Sequence, residues 1–266
     1  MTDIHPTAIV ADGAQLGDDV SIGPFCVVGP RVKLGKRVKL VSHVVVAGRT
    51  TLGDDTMVYP FASLGHPPQH QRDKGEESEL VLGVNNTVRE YVTMNPGTSA
   101  GGGVTTIGDN GFFMAYSHVA HDCHVGNNVI LTNGATLGGH VTVEDHANIG
   151  GLAAVHQRCR IGRQAFIGGM TGVEADIIPY GMVMGNRAYL AGLNLVGLKR
   201  RGLSRDTIHT LRNAYRLLFA QEGTFAERLA DVAELFKECR EVMDIVTFVR
   251  ADSARGLVMP KIDRGG

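Results

Sequence analysis

Tryptophan is absent from the 266 residues, and aromatics make up only 6% of them. A thick core built around large rings is therefore not available, and a slim interior is expected. An excess of charge of either sign is also missing: 26 Lys and Arg stand against 27 Asp and Glu, a formal net charge of −1. That argues against a general nucleic-acid binder. No run approaches the ~18 consecutive apolar residues that a membrane-spanning helix needs. The start, Met1-Thr2-Asp3-Ile4-His5-Pro6, has neither the basic nor the apolar region of a secretory signal. Cysteines number only four. Cys26, Cys123 and Cys159 recur at one position of a repeat, as small apolar filler. A reduced, cytoplasmic protein is the expectation. Glycine, by contrast, is abundant at 35 residues, roughly twice the average usage of about 7%.

The glycines belong to a beat of six. Val10, Leu16, Ile22, Val28, Leu34, Leu40, Val46, Leu52, Val58 and Leu64 mark its apolar first position. The beat returns at Leu82, Val88 and Met94, and again, slipped by one, from Ile107 through Phe113 and Val119 to Ile167 and Val173. Gly follows the apolar residue in many hexads, as in Leu16-Gly17 and Ile107-Gly108, and the fifth position is small or slender, as at Ala14, Cys26, Ala135 and Ala153. A period of six fits neither a helix nor an ordinary strand. It is the signature of a hexapeptide β-helix. One short strand cannot bury its apolar side chain alone, but stacked coils bury a continuous column. Three hexads make one triangular coil, so residues eighteen apart stack.

Two segments interrupt the beat. One is the polar, Pro-led stretch near residues 66–81, and the other is near 99–106, around Gly101-Gly102-Gly103. Loops carried on a rigid scaffold often carry function. The β-helix is expected over residues 1–186 and a C-terminal helical domain over 187–266. There, Ser204 is a good N-cap for a helix starting at Arg205. Thr224-Phe225-Ala226-Glu227 reads as a capping box for another. The fold class is thus an all-β solenoid with an α-helical cap.

Eleven His is a high count, and His118, His121, His124, His140, His146 and His156 cluster. In a β-helix, the spacing of His118, His121 and His124 sends them to different corners, so a zinc site within one chain is not expected. Stacking is more informative. Asp122 lies below His140 and His121 below Gly139, with coils roughly 4.8 Å apart. A His beside a carboxylate is a natural general base. A Gly on the adjacent coil exposes a backbone N–H, the usual ingredient of an oxyanion site. In the tail, Lys199, Arg200, Arg201, Arg205, Arg212 and Arg216 are opposed only by Asp206. They read either as a solvated helix face or as a docking site for something acidic, such as phosphate or an acidic carrier protein.

Several segments together carry a resemblance over essentially the whole length. They are His5-Pro6-Thr7-Ala8-Ile9-Val10, Ile22-Gly23-Pro24-Phe25-Cys26, Ala120-His121-Asp122-Cys123, Thr136-Leu137-Gly138-Gly139-His140-Val141 and Ala154-Val155-His156-Gln157. Gly197-Leu198-Lys199-Arg200-Arg201-Gly202 and Arg212-Asn213-Ala214-Tyr215 are the most specific. In these the chain resembles the bacterial UDP-N-acetylglucosamine O-acyltransferases, which carry out the first step of lipid A biosynthesis. The resemblance implies a left-handed parallel β-helix, a homotrimer and active sites between subunits. It implies transfer of a (R)-3-hydroxyacyl chain from acyl carrier protein to the glucosamine 3-hydroxyl of UDP-N-acetylglucosamine, with no metal and no cofactor beyond the carrier thioester. His121 would be the general base, Asp122 its orienting partner and Gly139 the oxyanion donor. His70, Arg72, His118, His140, His156 and Gln157 would line the substrate site. Asn194, Arg200 and Arg201 would hold the nucleotide, and Arg205, Arg212 and Arg216 would dock the carrier. Gly169 would leave the end of the acyl groove open to a long chain.

The chain departs from the family pattern at four places. His70 stands where an Asp is usual, Arg72 for a Lys, Asn95 where a His is common and Val196 where a Glu often meets the nucleotide. The competing readings are another hexapeptide acyltransferase, using acetyl-CoA or acylating an amino sugar; a metalloenzyme similar to the γ-class carbonic anhydrases; and a non-catalytic solenoid. The amino-sugar enzymes need a separate N-terminal domain, for which hexads beginning at Val10 leave no room. A flat binding solenoid needs a repeated column of Thr or similar residues, which is missing.

Overall fold

A computed structural model describes residues 1–71, 75 and 77–261. Two-residue strands stack into three parallel sheets, which form the three faces of a left-handed triangular coil. Face 1 begins with Asp3–Ile4 and has 11 strands, face 2 begins with Ile9–Val10 and has 9, and face 3 begins with Gln15–Leu16 and has 8. In each two-residue strand the second residue points inward. Ile22, Leu40, Leu64, Leu131, Leu137 and Ile149 are fully buried. Burial of each such side chain contributes roughly 1.5–3 kcal/mol. The fifth hexad positions, Val20, Cys26, Ala135, Ala147 and Ala153, fill the remaining interior. Burial pushes the Cys123 thiol up to about 12 and the Cys159 thiol up to about 11, so both stay protonated filler.

Most corners of the coil place a residue in the left-handed backbone region. Phe25, His43, Phe61, Tyr91 and Tyr116 occupy it between faces 1 and 2, and Asp122, His140 and Arg158 between faces 2 and 3. For residues other than Gly this conformation costs free energy, and the surrounding ladder must hold it.

The interruptions change the stacking distance. Leu64 pairs with Met94, thirty positions on, and Leu82 pairs with Leu52. Leu82 pairs onward with Ile107, twenty-five positions on. Both loops therefore leave the coil at the same edge, between faces 2 and 3, on successive turns. The next two corners along that edge are Ala120–Cys123 and Gly138–Val141.

Face 1 continues through Gly181–Met184 and an antiparallel strand, Tyr189–Leu193. Four helices follow: α1 (Leu195–Arg200), α2 (Arg205–Leu218), α3 (Phe225–Leu235) and α4 (Arg240–Arg250). Ser204 caps α2 by accepting from the Thr207 N–H, and Thr224 with Glu227 forms the capping box of α3. No helix among the described residues is long and apolar enough to cross a membrane.

Candidate active site

The corner between faces 2 and 3 gathers the ionisable residues. Asp122 is only 2% exposed. Its Oδ1 accepts from the Thr98 N–H at 2.8 Å, and its Oδ2 accepts from the Thr98 hydroxyl at 2.7 Å. Thr98 belongs to the second loop, one turn below. Burial pushes the Asp122 pKa up, but the Thr98 side chain, the Thr98 backbone, His121 and the charge of His140 together outweigh it and hold the acid below the ordinary carboxylate range. An ionised carboxylate only accepts. The His121 Nδ1, 2.7 Å from Asp122 Oδ2, must therefore be the donor. That fixes the tautomer and leaves a lone pair on His121 Nε2, facing away from the acid.

Gly139 on the turn above makes room for this ring. A Cβ at Gly139 would lie 2.6 Å from His121 Cε1 and 2.7 Å from Nε2. The Gly139 N–H donates to no group among the described residues. His140 stands edge-on to His121 with ring centroids 5.1 Å apart, and its Nε2 is 3.8 Å from Asp122 Oδ2. Burial pushes the His140 pKa down, against the pull of Asp122. The first loop brings the His70 ring to 5.1 Å from His121. His118, on the outer side of face 2, has Nδ1 2.7 Å from the Thr93 hydroxyl, and burial pushes its pKa down. His156 and Gln157 are exposed at the same edge one turn above His140. Arg72 lies outside the described residues.

The ligand atoms of His121, Asp122 and His140 lie within 4.8 Å of one another, close enough for a shared metal ion. Both Asp122 oxygens already accept protein donors. A cation there would have to displace the proton shared with His121.

The residues expected to hold a nucleotide sit elsewhere. Asn194, Arg200 and Arg201 line a groove of about 820 Å³. Its floor is the outer side of face 1, at Ile130, Asn148, Phe166 and Met182. The Asn194 amide is also committed to the fold: it caps α1 through the Gly197 N–H and donates to the Gln164 carbonyl. Arg201 Nη1 lies 2.6 Å from His146 Nδ1, and Nη2 donates to the His146 carbonyl. Sequence reasoning had given neither His146 nor the apolar floor a place in this groove. In a triangular coil, face 1 is opposite the corner between faces 2 and 3. One chain therefore does not bring Arg200 and Arg201 to His121.

Arg205, Arg212 and Arg216 are exposed on α2, and none makes an ion pair among the described residues. Gly169 lies at the corner between faces 1 and 2, where a methyl would meet only the Gly151 backbone, its carbonyl oxygen at 3.3 Å and its N at 4.0 Å.

Residues 176–258 match the second domain of the UDP-N-acetylglucosamine O-acyltransferases, and residues 13–48 and 104–139 match bacterial transferase hexapeptide repeats. An acyl-[acyl-carrier-protein]–UDP-N-acetylglucosamine O-acyltransferase of Caulobacter vibrioides is 59% identical over 97% of this chain and 98% of its own. The enzyme of that name from Rhizobium johnstonii is 50% identical over 97% and 94%. Among solved structures, a UDP-N-acetylglucosamine acyltransferase superposes with a TM-score of 0.93 at 40% identity, covering 98% of this chain and 100% of its own. That of Francisella novicida does so with a TM-score of 0.93 at 35% identity, covering 96% and 94%. With this fold and this sequence identity over its full length, the chain is an acyltransferase and belongs to the UDP-N-acetylglucosamine O-acyltransferase family.

Proposed function

We propose that this chain transfers a (R)-3-hydroxyacyl group from an acyl carrier protein thioester to the glucosamine 3-hydroxyl of UDP-N-acetylglucosamine, opening lipid A biosynthesis. The observation that carries the mechanism is the His121–Asp122 pair at 2.7 Å with an open Gly139 N–H above it. A sugar hydroxyl is a weak nucleophile until its proton is drawn off during attack. His121 Nε2 takes that proton as the new C–O bond forms at the thioester carbonyl, a contribution of roughly 10²–10⁴-fold. The carbonyl oxygen becomes an oxyanion held by the Gly139 N–H. The C–S bond then breaks, and the leaving thiolate takes the proton from His121. Asp122 stays ionised and keeps the ring in its tautomer. Each proton and electron pair is accounted for without a metal or cofactor. Mass spectrometry of the product formed from UDP-N-acetylglucosamine and a mixed pool of 3-hydroxyacyl carriers tests the reading. A 3-O-acylated sugar nucleotide supports it, and acylation at another hydroxyl, or no acylated product, contradicts it.

The chain is proposed to act as a homotrimer, and three observations support that assembly. First, the base corner and the nucleotide groove lie on opposite sides of one chain. Second, the outward side of face 2 carries Ile9, Val27, Val45, Ser63, Thr93, His118, Thr136, Ala154 and Gly172 and no Lys, Arg, Asp or Glu. Loss of charge marks the core of an interface. Third, the edge between faces 1 and 2 displays a ladder of rings, Phe25, His43, Phe61, Tyr91 and Tyr116, with centroids 4.8–5.0 Å apart. Tyr116 remains 64% exposed, and Leu152 and Met170 extend the apolar edge upward. With face 2 turned to a threefold axis, the edge between faces 1 and 2 of one copy meets the edge between faces 2 and 3 of the next. The groove on face 1 then adjoins the next copy's His121, and Gly169 lies beside the acyl path.

Arg205, Arg212 and Arg216 are proposed to dock the acidic carrier. Arg212→Glu is expected to raise the KM for acyl carrier protein several-fold and to flatten its salt dependence. Exposed charges attract only within a screening length of roughly 8 Å at physiological salt. Steady-state kinetics over a salt series checks this, and an unchanged KM and slope exclude Arg212 from docking.

A further inference from the structure

We infer that the second loop is a seat for the Asp122 carboxylate, with Thr98 and Gly101 as positioning residues that set the acidity of the His121–Asp122 pair. The inference rests on the reading of His121 as the base. Its grounds are three. Asp122 sits in a left-handed corner, φ 58°, from which its carboxylate reaches both His121 on its own turn and the loop on the turn below. Two donors from one residue of the turn below, the Thr98 N–H and hydroxyl, take one carboxylate oxygen each. Gly101 closes against the same group: a methyl there would overlap the Asp122 carboxylate. Gly101 has an ordinary backbone conformation within the short helical turn Ser99–Gly101, so no left-handed φ demands glycine. The demand comes from Asp122. The Asp122 N–H is tied separately to the Thr105 hydroxyl at 2.8 Å, so the loop holds the carboxylate and the strand that follows it, Val104–Ile107, holds the backbone.

The Thr98 hydroxyl and the His121 Nδ1–H donate to the same oxygen, Oδ2. They compete for its electron density. Without the hydroxyl, that density shifts to His121, and the pair holds its proton more tightly. The acidic limb of the rate profile belongs to the pair and not to either residue. It should therefore move to higher pH.

The test is kcat and KM against pH for the full-length enzyme and for Thr98→Val, Thr98→Ser and Gly101→Ala, with His121→Ala in the same assay. Thr98→Val is expected to lower kcat roughly tenfold. Its KM for UDP-N-acetylglucosamine should stay close to wild type, because the Thr98 hydroxyl is engaged by Asp122. The acidic limb should rise by roughly 0.5–1 pH unit. Thr98→Ser should restore both. Gly101→Ala should lower kcat while the loop's backbone conformation remains allowed, and it decides the matter if Thr98→Val does not fold. A wild-type limb and kcat in Thr98→Val and Gly101→Ala, or a Thr98→Ser as impaired as the valine variant, overturns the inference. If those variants are normal while His121→Ala is inactive, only the seat is wrong. If His121→Ala is active, the base assignment fails first.

Discussion

Replacing His121 by alanine is expected to lower turnover by about 10²-fold or more, through loss of the base. The stack should not notice. His121 is a corner residue outside the apolar column, and the corner backbone bond from the His140 N–H to the His121 carbonyl survives the substitution. The thermal midpoint should stay close to wild type. KM for UDP-N-acetylglucosamine should change far less than kcat, because the base acts in the transition state. Pre-steady-state and steady-state turnover of the purified variant check this. Near-native turnover in a folded variant would remove His121 from the chemistry.

Gly139→Ala is expected to be nearly as severe for a different reason. It keeps the backbone N–H and adds one methyl. That methyl has nowhere to go except onto the His121 ring, 2.6–2.7 Å from Cε1 and Nε2. The backbone there needs no positive φ, so the coil accepts alanine and the ring must move. A displacement of about 1 Å in a reacting group costs on the order of 10²-fold. The expected result is a large fall in kcat with little change in stability, measured by kinetics alongside a thermal melt. A kcat close to wild type would mean that the His121 ring seen here is not the reactive placement.

The coil was legible in the sequence because its rule is local. One inward position in six must be apolar, and Leu131, Leu137 and Val143 obey it whatever lies beyond them. The pairing of His121–Asp122 with Gly139–His140 followed from stacking, since no insertion separates those two turns. The first interruption hid its effect on stacking. It adds twelve residues, two whole hexads, so the phase passes through unchanged while Leu64 shifts its partner to Met94. Periodicity reports phase and not register. The part of the site that could not be read is the Thr98 contact, made by a loop with no periodic pattern and reaching a corner twenty-four positions on. The ring ladder had a signal, aromatics recurring at the left-handed corner position. It was obscured because two of its steps, Phe61 to Tyr91 and Tyr91 to Tyr116, cross the interrupted turns. In the tail, Ser204 and Thr224 announced their helices, whereas α4 has Cys239 at its N-cap and no side-chain cap bond to announce it.

In the proposed trimer, one chain's His121 works with the next chain's nucleotide groove. Mixing two inactive variants tests it most directly: His121→Ala, and a double charge reversal of Arg200 and Arg201 to Glu. Each is expected to be nearly inactive alone. After co-refolding in equal amounts, three trimers in four are mixed, and each mixed trimer holds one intact site of three. Activity should therefore recover to about a quarter of wild type. Recovery near that value is the predicted result. No recovery in mixtures shown to contain mixed trimers, or an active monomer, would contradict the claim.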